Sequence, residues 1–199
     1  MKKLIIVLIG FLICPKLEAQ NVFAGVEAGI AQNMIDLRSY SDNPINVPFT
    51  FRVGGGLPGL QIYLAYGIGL TKPKYVFKDE FTGEERFEDD FTISSFGGGL
   101  RLNTSRDQSV GFLMRAGIAQ TKVKEKISTT NGEYAENNDF GKKLGFNFSI
   151  GLSIPLGKSF QMAIESEYAM SKLKVEDKKV NFNQWKILTV GVYYVFYSK

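Results

Sequence analysis

Large apolar side chains alternate with small or polar ones in eight separate stretches of this chain. A period of two residues is typical of a β-strand whose two faces meet different surroundings. Most of the stretches exceed the about 5 or 6 residues usual for globular strands and reach the roughly 9 to 11 that a tilted strand needs to cross a bilayer. The eight predicted strands cover residues 21–35, 49–57, 60–71, 91–103, 109–123, 143–156, 159–172 and 184–197.

The chemistry of the two faces indicates which of them points outward. In the stretch 143–156, Phe146 and Phe148 share one face, whereas Gly145, Asn147 and Ser149 share the other. Side chains this small and uncharged are unusual on a solvated surface, but they fit the interior of a narrow barrel. Apolar residues outside and polar residues inside, in segments of about ten residues, are the signature of a transmembrane β-barrel.

Connection lengths give an independent indication of the same architecture. Tight links follow the second, fourth and sixth stretches, and long hydrophilic links follow the others. All long links therefore lie at one rim, which is the extracellular rim in outer-membrane barrels, and both termini lie in the periplasm. Two of them, 75–90 and 124–136, are predicted to be protruding hairpins, the latter because Asn131-Gly132 is a strong hairpin signal. The long links are 36–48, 72–90, 124–142 and 173–183.

The first residues have the pattern of a secretory signal peptide. Lys2 and Lys3 precede an apolar core too short to span a membrane, and Ala19 is a small residue suited to cleavage. We therefore expect a signal peptide at 1–19 and one barrel domain at 20–199. Removal of its three lysines and one glutamate lowers the net charge from +4 to +2, which does not indicate a nucleic-acid partner.

The final strand carries its apolar residues on alternate positions and ends in an aromatic residue. This resembles the C-terminal sorting signal of outer-membrane proteins. With the signal peptide and eight strands, the chain resembles the small outer-membrane barrel family of the OmpA/OmpX type, with its porin-like β-barrel domain. The resemblance implies an eight-stranded antiparallel up-and-down transmembrane β-barrel in a Gram-negative outer membrane, inserted by the barrel-assembly machinery. The residues that carry it are Val190, Val192, Tyr194 and Phe196, preceded by Leu188.

Aromatic residues near the strand ends are predicted to form two interfacial girdles. The tyrosine and tryptophan rings among them are amphipathic and suit the boundary between lipid and water. One girdle holds Phe49, Phe51, Tyr168 and Trp185, and the other holds Phe160, Tyr194 and Phe196.

Charged residues on the inward-facing positions are the most informative polar set. Buried charges must be paired or solvated, so a salt-bridge cluster across the lumen is predicted. A plug is favoured over a gate or ion path, because an eight-stranded barrel is just wide enough for its own side chains and the matched charges leave no single-sign ring. The predicted luminal residues are Glu27, Arg52, Arg101, Arg115, Glu165 and Glu167.

Residue types needed for common catalytic and metal sites are missing from the sequence. There is no histidine, and the single cysteine, Cys14, lies in the signal peptide. A Ser-His-Asp triad and zinc sites built on His or Cys therefore have no basis here, and neither a catalytic residue nor a cofactor or metal is expected. The glycine clusters at 54–56 and 97–99 lie within strands, where glycine relieves crowding, and do not resemble phosphate loops.

Charges on the long links suggest what the protruding rim contacts. The stretch 79–90 is acidic and is expected to be a solvated loop, with a divalent cation or basic partner as the alternative. Lipid and lipopolysaccharide phosphates are predicted partners of the basic residues. The leading hypothesis is a non-catalytic surface or envelope protein contacting an extracellular protein or cell surface, and the alternative is a narrow channel for small or apolar solutes. The basic residues are Lys122, Lys124, Lys126, Lys142 and Lys143.

Overall fold

The strands of this chain form one antiparallel sheet. The computed structural model describes residues 21–35, 45–57, 59–71, 74–79, 83–105, 109–129, 135–175 and 178–197. The predicted signal peptide at 1–19 lies outside the described residues. Within these ranges no helix is long and apolar enough to cross a membrane.

Eight of the nine strand segments close into a barrel, and this confirms the predicted fold class. Strands that follow one another in the chain are paired, except that β3 pairs with β5 and not with β4, and the pairing of β1 with β9 closes the ring. Because β4 pairs with β5 alone, it lies outside the ring. The strands are β1 (Asn21–Ile35), β2 (Ile45–Leu57), β3 (Leu60–Thr71), β4 (Lys74–Asp79), β5 (Gly83–Asn103), β6 (Gly111–Thr129), β7 (Ala135–Pro155), β8 (Phe160–Val175) and β9 (Lys178–Tyr197).

The barrel has two unlike ends. The short-turn end carries the start of β1, the end of β9 and the connections β2–β3, β5–β6 and β7–β8. At the long-loop end, β5, β6 and β7 continue past the predicted strands and form two hairpins. In the β4–β5 hairpin Lys74 pairs with Glu88, and in the β6–β7 hairpin the pairing reaches Ser128↔Ala135. The two predicted hairpins are therefore present, although their turns at 80–82 and 130–134 lie outside the described residues.

One long link differs from its prediction. The link 173–183 was expected to be a loop, but β8 and β9 continue through most of it as a hairpin, pairing as far as Val175↔Lys178. Pairing of the two strands there satisfies their backbone hydrogen bonds, as it does in the protruding hairpins.

The barrel wall has the reverse polarity of a water-soluble barrel. Along β1, Val26 is 61% exposed on the outside, whereas the adjacent Glu27 is 3% exposed inside. Every barrel strand repeats this arrangement, and both predicted aromatic girdles lie on the outer face. Exposed apolar surface this extensive is stable against lipid rather than water.

Two β-bulges change which residues face the lumen. In β9 an extra residue shifts the register of its pairing with both β1 and β8. As a result, the consecutive residues Ile187 and Leu188 both point outward. In β7 the register shifts opposite Val123, where Gly141 has a φ of 72° that favours glycine, and Phe140 is turned inward. Beyond each bulge, the inward positions change from odd to even residue numbers.

The interior is filled in layers. At the short-turn end an aromatic layer contains Phe23, Tyr63, Leu113, Ala163, Tyr193 and Val195. At the long-loop end an apolar cluster contains Phe91, Ile93, Val123, Phe140 and Phe182. Polar and charged side chains lie between them. Neither apolar layer was predicted from the alternation, which indicated a polar interior throughout.

Glycines in the wall make room for the aromatic layer. A Cβ atom on Gly25 would overlap the Tyr193 ring, and one on Gly54 would lie 2.7 Å from the Phe23 ring. Both positions are closer than van der Waals contact, so a larger residue would displace the ring. This supports the interpretation of glycine as relief from crowding.

A charge placed on the outer face tests the membrane placement. Val26 lies midway along β1 and faces Phe51 and Val192 on the adjacent strands, so an arginine there has no partner. We expect Val26→Arg to lower the free energy of unfolding by about 2 to 4 kcal/mol in phospholipid vesicles. Urea titration of the vesicle-folded barrel measures this, with Val26→Leu as the matched control. Equal stability of the two variants would show that this face meets water.

Candidate functional site

Six ionised side chains in the lumen form one continuous series of alternating charge, here called the charge chain. Three are acidic and three are basic, and none has a side chain more than 7% exposed. Their charges cancel, which is the condition for burying ions at an acceptable cost. In order along the series they are Glu165, Arg115, Glu27, Arg52, Glu167 and Lys186.

Arg115 joins two acids from different sides of the barrel. Its Nη2 lies 2.5 Å from Glu165 Oε2, and its Nη1 lies 2.7 Å from Glu27 Oε1. Arg115 is on β6 and Glu27 is on β1, and these strands are opposite in the ring of eight. The contact therefore crosses the full width of the lumen.

Arg52 continues the series from Glu27. Its Nε lies 2.9 Å from Glu27 Oε2, and its Nη2 lies 2.5 Å from Glu167 Oε2. Lys186 ends the series with its Nζ 2.6 Å from Glu167 Oε1. Four strands are tied together by these contacts, namely β1, β2, β8 and β9.

Neutral hydroxyl groups hold the ions in place. Arg115 Nε donates to Ser149 Oγ at 3.1 Å, and that hydroxyl donates to Glu165 Oε2 at 2.9 Å. The hydroxyl of Tyr193 donates to the Glu27 carboxylate. Hydrogen bonds to charged groups are about twice as strong as those between neutral groups, so these contacts restrict the carboxylates to one geometry.

Arg101 is buried but does not join the charge chain. Its Nη1 donates to Gln61 Oε1 at 3.1 Å, and its Nη2 donates to Gln161 Oε1 at 3.3 Å. Its guanidinium carbon lies 4.2 Å from the ring centroid of Phe23 and 4.9 Å from that of Tyr193. Amide oxygens and aromatic faces therefore solvate this cation in place of the carboxylates expected from the sequence.

The structure places all six predicted luminal residues inside the barrel and brings five of them into the charge chain. The sixth member, Lys186, was missed because the bulge in β9 reverses its orientation. A signal was present in the sequence: Trp185 and Leu188 were both assigned to the outer face, although one has an odd and the other an even residue number. Only an inserted residue reconciles these two assignments.

A small cavity of about 30 Å³ lies on the long-loop side of the charge chain. Glu167 and Lys186 line it on one side, and Ile93 and Phe182 of the apolar cluster line it on another. It has room for about two water molecules. The apolar cluster thus separates this polar space from the long-loop end.

The last strand presents its predicted apolar series to the outside. Phe160 and Tyr194 stack edge-to-face at 5.1 Å, and Tyr194 contacts Phe196 at 4.4 Å, which forms the girdle at the short-turn end. The role of this strand as a sorting signal stays a prediction. All four of its residues, Val190, Val192, Tyr194 and Phe196, are exposed on the outer face.

The loss of unfolding free energy on removing one ion from the charge chain depends on the position of that ion in the series. Arg115→Met removes the counter-ion of Glu165 and one of the two counter-ions of Glu27, and we expect it to lower the free energy of unfolding by about 3 to 5 kcal/mol. Lys186→Met is the matched comparison and should cost less, because Glu167 keeps Arg52. Urea unfolding in vesicles measures both.

A second substitution separates charge from packing in that experiment. Adding Glu165→Gln to Arg115→Met neutralises the carboxylate that has lost its counter-ion and should recover part of the lost stability. Additive losses in the double variant would show that Arg115 stabilises the barrel through packing and not through its ion pairs.

No protein-family model matches this sequence, and no curated protein resembles it significantly. Solved structures do resemble the fold. Neisserial surface protein A has a TM-score of 0.58 at 15% identity, with 89% of this chain and 99% of that protein covered. A major outer membrane protein from Thermus thermophilus has a TM-score of 0.54 at 10% identity, with 89% and 99% covered.

A third similar structure is Ail, the attachment invasion locus protein of Yersinia pestis. Its TM-score is 0.51 at 17% identity, and the match covers 90% of this chain and 100% of that one. Identities this low establish the fold alone. The prediction of an OmpA/OmpX-type architecture is confirmed at that level: this chain has the eight-stranded β-barrel fold of small outer-membrane proteins.

Proposed function

We propose that this protein is a non-catalytic outer-membrane barrel that contacts other surfaces through its protruding hairpins. Residues 1–19 direct its export and are removed, and the long-loop end faces the outside of the cell. The charge chain closes the lumen as a plug. The observation that carries the proposal is the combination of a filled interior with a paired sheet that rises above one rim.

The filled interior leaves little space for a solute. The charge chain crosses the lumen between opposite strands, and an apolar layer lies on each side of it. Each ion in the series has its counter-ion at salt-bridge distance, so the energetic role of this layer is to tie the wall together. Function is therefore expected on the outer surfaces.

The protruding sheet offers backbone groups to a partner strand. β7 pairs with β8 only from Gly145↔Ser171 toward the short-turn end, whereas its pairing with β6 continues to Ala135. Among the described residues, no strand pairs with the other edge of β7 over 135–144. An open edge of this kind binds an extended segment by strand addition, with main-chain hydrogen bonds providing affinity.

The similar structures agree with a role at the cell surface. Ail is named for attachment and invasion and was crystallised with the heparin analogue sucrose octasulfate. The name of Neisserial surface protein A places that protein at the cell surface. Surface contact by this chain is our proposal, and the open edge of β7 supports it. The absence of histidine from the sequence supports the non-catalytic part of the proposal, because histidine is the commonest general base.

Deleting the β6–β7 hairpin separates surface contact from barrel stability. Replacing residues 126–139 with a two-residue turn stops before Phe140, so the apolar cluster keeps all its members. We expect the variant to fold, as shown by heat-modifiable migration in gels. Bacteria displaying it should lose adherence to one another and to heparin-coated surfaces. Undiminished adherence by a folded variant would place the contact elsewhere.

A narrow channel is the second candidate function, and buried polar atoms favour it. Glu165 Oε1 and Arg52 Nη1 have no hydrogen-bond partner among the described protein groups. Buried polar atoms normally have partners, and water entering the lumen of a channel would supply them. The small cavity beside Glu167 lies in the same region.

Planar-bilayer recording decides between plug and channel. The refolded barrel, residues 20–199, is expected to show no stable single-channel openings, because the charge chain and both apolar layers block the axis. Reproducible openings that change conductance in Arg115→Met would overturn the plug and support the channel.

A further inference from the structure

Lysines cluster on the outer face at the long-loop end, and they define what we call the lysine patch. All of them point away from the lumen, on three adjacent strands. Lys143, grouped with them in the sequence, instead shares the inward parity of Gly145. The patch contains Lys122, Lys124 and Lys126 on β6, Lys142 on β7 and Lys172 on β8.

The spacing within the patch is unfavourable for an isolated protein. Lys122 and Lys142 are directly opposite each other in the β6–β7 pairing. Like charges in this position have Cβ atoms about 5 Å apart and destabilise a sheet. A site that tolerates such a pair is more stable when an anion lies between the ammonium groups.

Internal carboxylates neutralise only part of the patch. Lys122 Nζ lies 2.7 Å from Asp139 Oδ2, and the Gly141 N–H donates to Asp139 Oδ1 at 3.0 Å. Both contacts lower the pKa of the Asp139 carboxyl, so it stays ionised and paired. Lys124 lies opposite Asp139 in the β6–β7 pairing, and its charge also lowers the pKa of that carboxyl, whereas Lys142 and Lys172 form no ion pair with any described residue.

Apolar side chains lie immediately below the lysines on the same face. Lys142 is followed toward the membrane by Leu144, which is 64% exposed, and Lys172 lies above Met170, which is 49% exposed. Phe146 pairs with Met170 across the strands and is also exposed. Cations bordering an apolar surface match a molecule that has phosphates at one end and acyl chains at the other.

Among the described side chains, the outward lysines of this end lie on β6, β7 and β8, which form one side of the barrel. On β2 and β3, the outward residues at the same end are apolar, including Ile45, Val47 and Leu70. A general band of positive charge around the rim would not show this asymmetry. The arrangement is that of a local site.

We propose that the lysine patch binds a phosphorylated glycolipid of the outer leaflet, whose phosphates contact the lysines while its acyl chains pack on the apolar residues below. The lysines border the apolar band and not the hairpin tip, which favours a membrane lipid over a soluble polyanion. The inference rests on the outer-membrane placement proposed above but not on adhesion. The Val26→Arg experiment tests that placement separately.

Matched charge removals test the site. Lys124→Gln/Lys142→Gln removes two positive charges from the patch. Lys143→Gln/Lys158→Gln removes two from elsewhere, because Lys143 has inward parity and Lys158 lies in the β7–β8 turn. Each barrel, refolded in detergent and checked by heat-modifiable migration, is titrated with bisphosphorylated lipid A, and native mass spectrometry counts the bound lipid.

The patch variant should bind lipid A about 10- to 30-fold more weakly than the parent, since each lysine near a phosphate surface contributes roughly one decade or less. The control variant should change less than about twofold, and dephosphorylated lipid A should bind all barrels equally. Equal losses in both variants, or indifference to the phosphates, would overturn the proposal.

Two soluble competitors distinguish the sources of the anion. Inorganic phosphate and heparin should each displace lipid A poorly from the parent barrel, because neither has acyl chains to pack below the lysines. If heparin binding is lost in the patch variant while lipid A binding persists, the patch is a polyanion site and the proposal is wrong. Full displacement by inorganic phosphate would assign it to free anions.

Discussion

Pairing of buried charges is the constraint on which the rest of this barrel depends. Removing a single counter-ion from such a network strands its partner at a large cost, so the members of the charge chain must be placed together or not at all. Each contact joins side chains from different strands, and the link between Arg115 and Glu27 spans opposite walls. The series therefore ties opposite walls together as well as satisfying its own ions.

The wall accommodates this interior through very small residues. Gly25 and Gly54 leave room for the rings of Tyr193 and Phe23, and Tyr193 in turn donates to Glu27. The same aromatic layer supplies the faces on which Arg101 rests. Packing and electrostatics are thus coupled at the short-turn end, where a change of one glycine would disturb a ring and the carboxylate that it supports.

Because the lumen is filled, the groups that are free to contact a partner lie on the outer surfaces. Beyond the apolar band, β5, β6 and β7 continue as a sheet with an unpaired edge along β7 among the described residues. At its base, the lysine patch meets the apolar band. Gly141 connects these regions, because its bulge turns Phe140 into the apolar cluster and its N–H holds Asp139. Surface and interior therefore share one local distortion of β7.

The period-two alternation by itself determined the strand number, the outward apolar face and the inward position of residues such as Glu27 and Arg52, because side chains on a strand alternate regardless of what surrounds it. Only the tertiary structure decided the bulges, and with them the inward turn of Lys186 and Phe140, since an inserted residue is stabilised by the neighbouring strands. It also decided that Arg101 meets amides and rings instead of acids. Partner choice among buried charges depends on distances across the lumen, and these are set by barrel closure rather than by any local pattern in the chain.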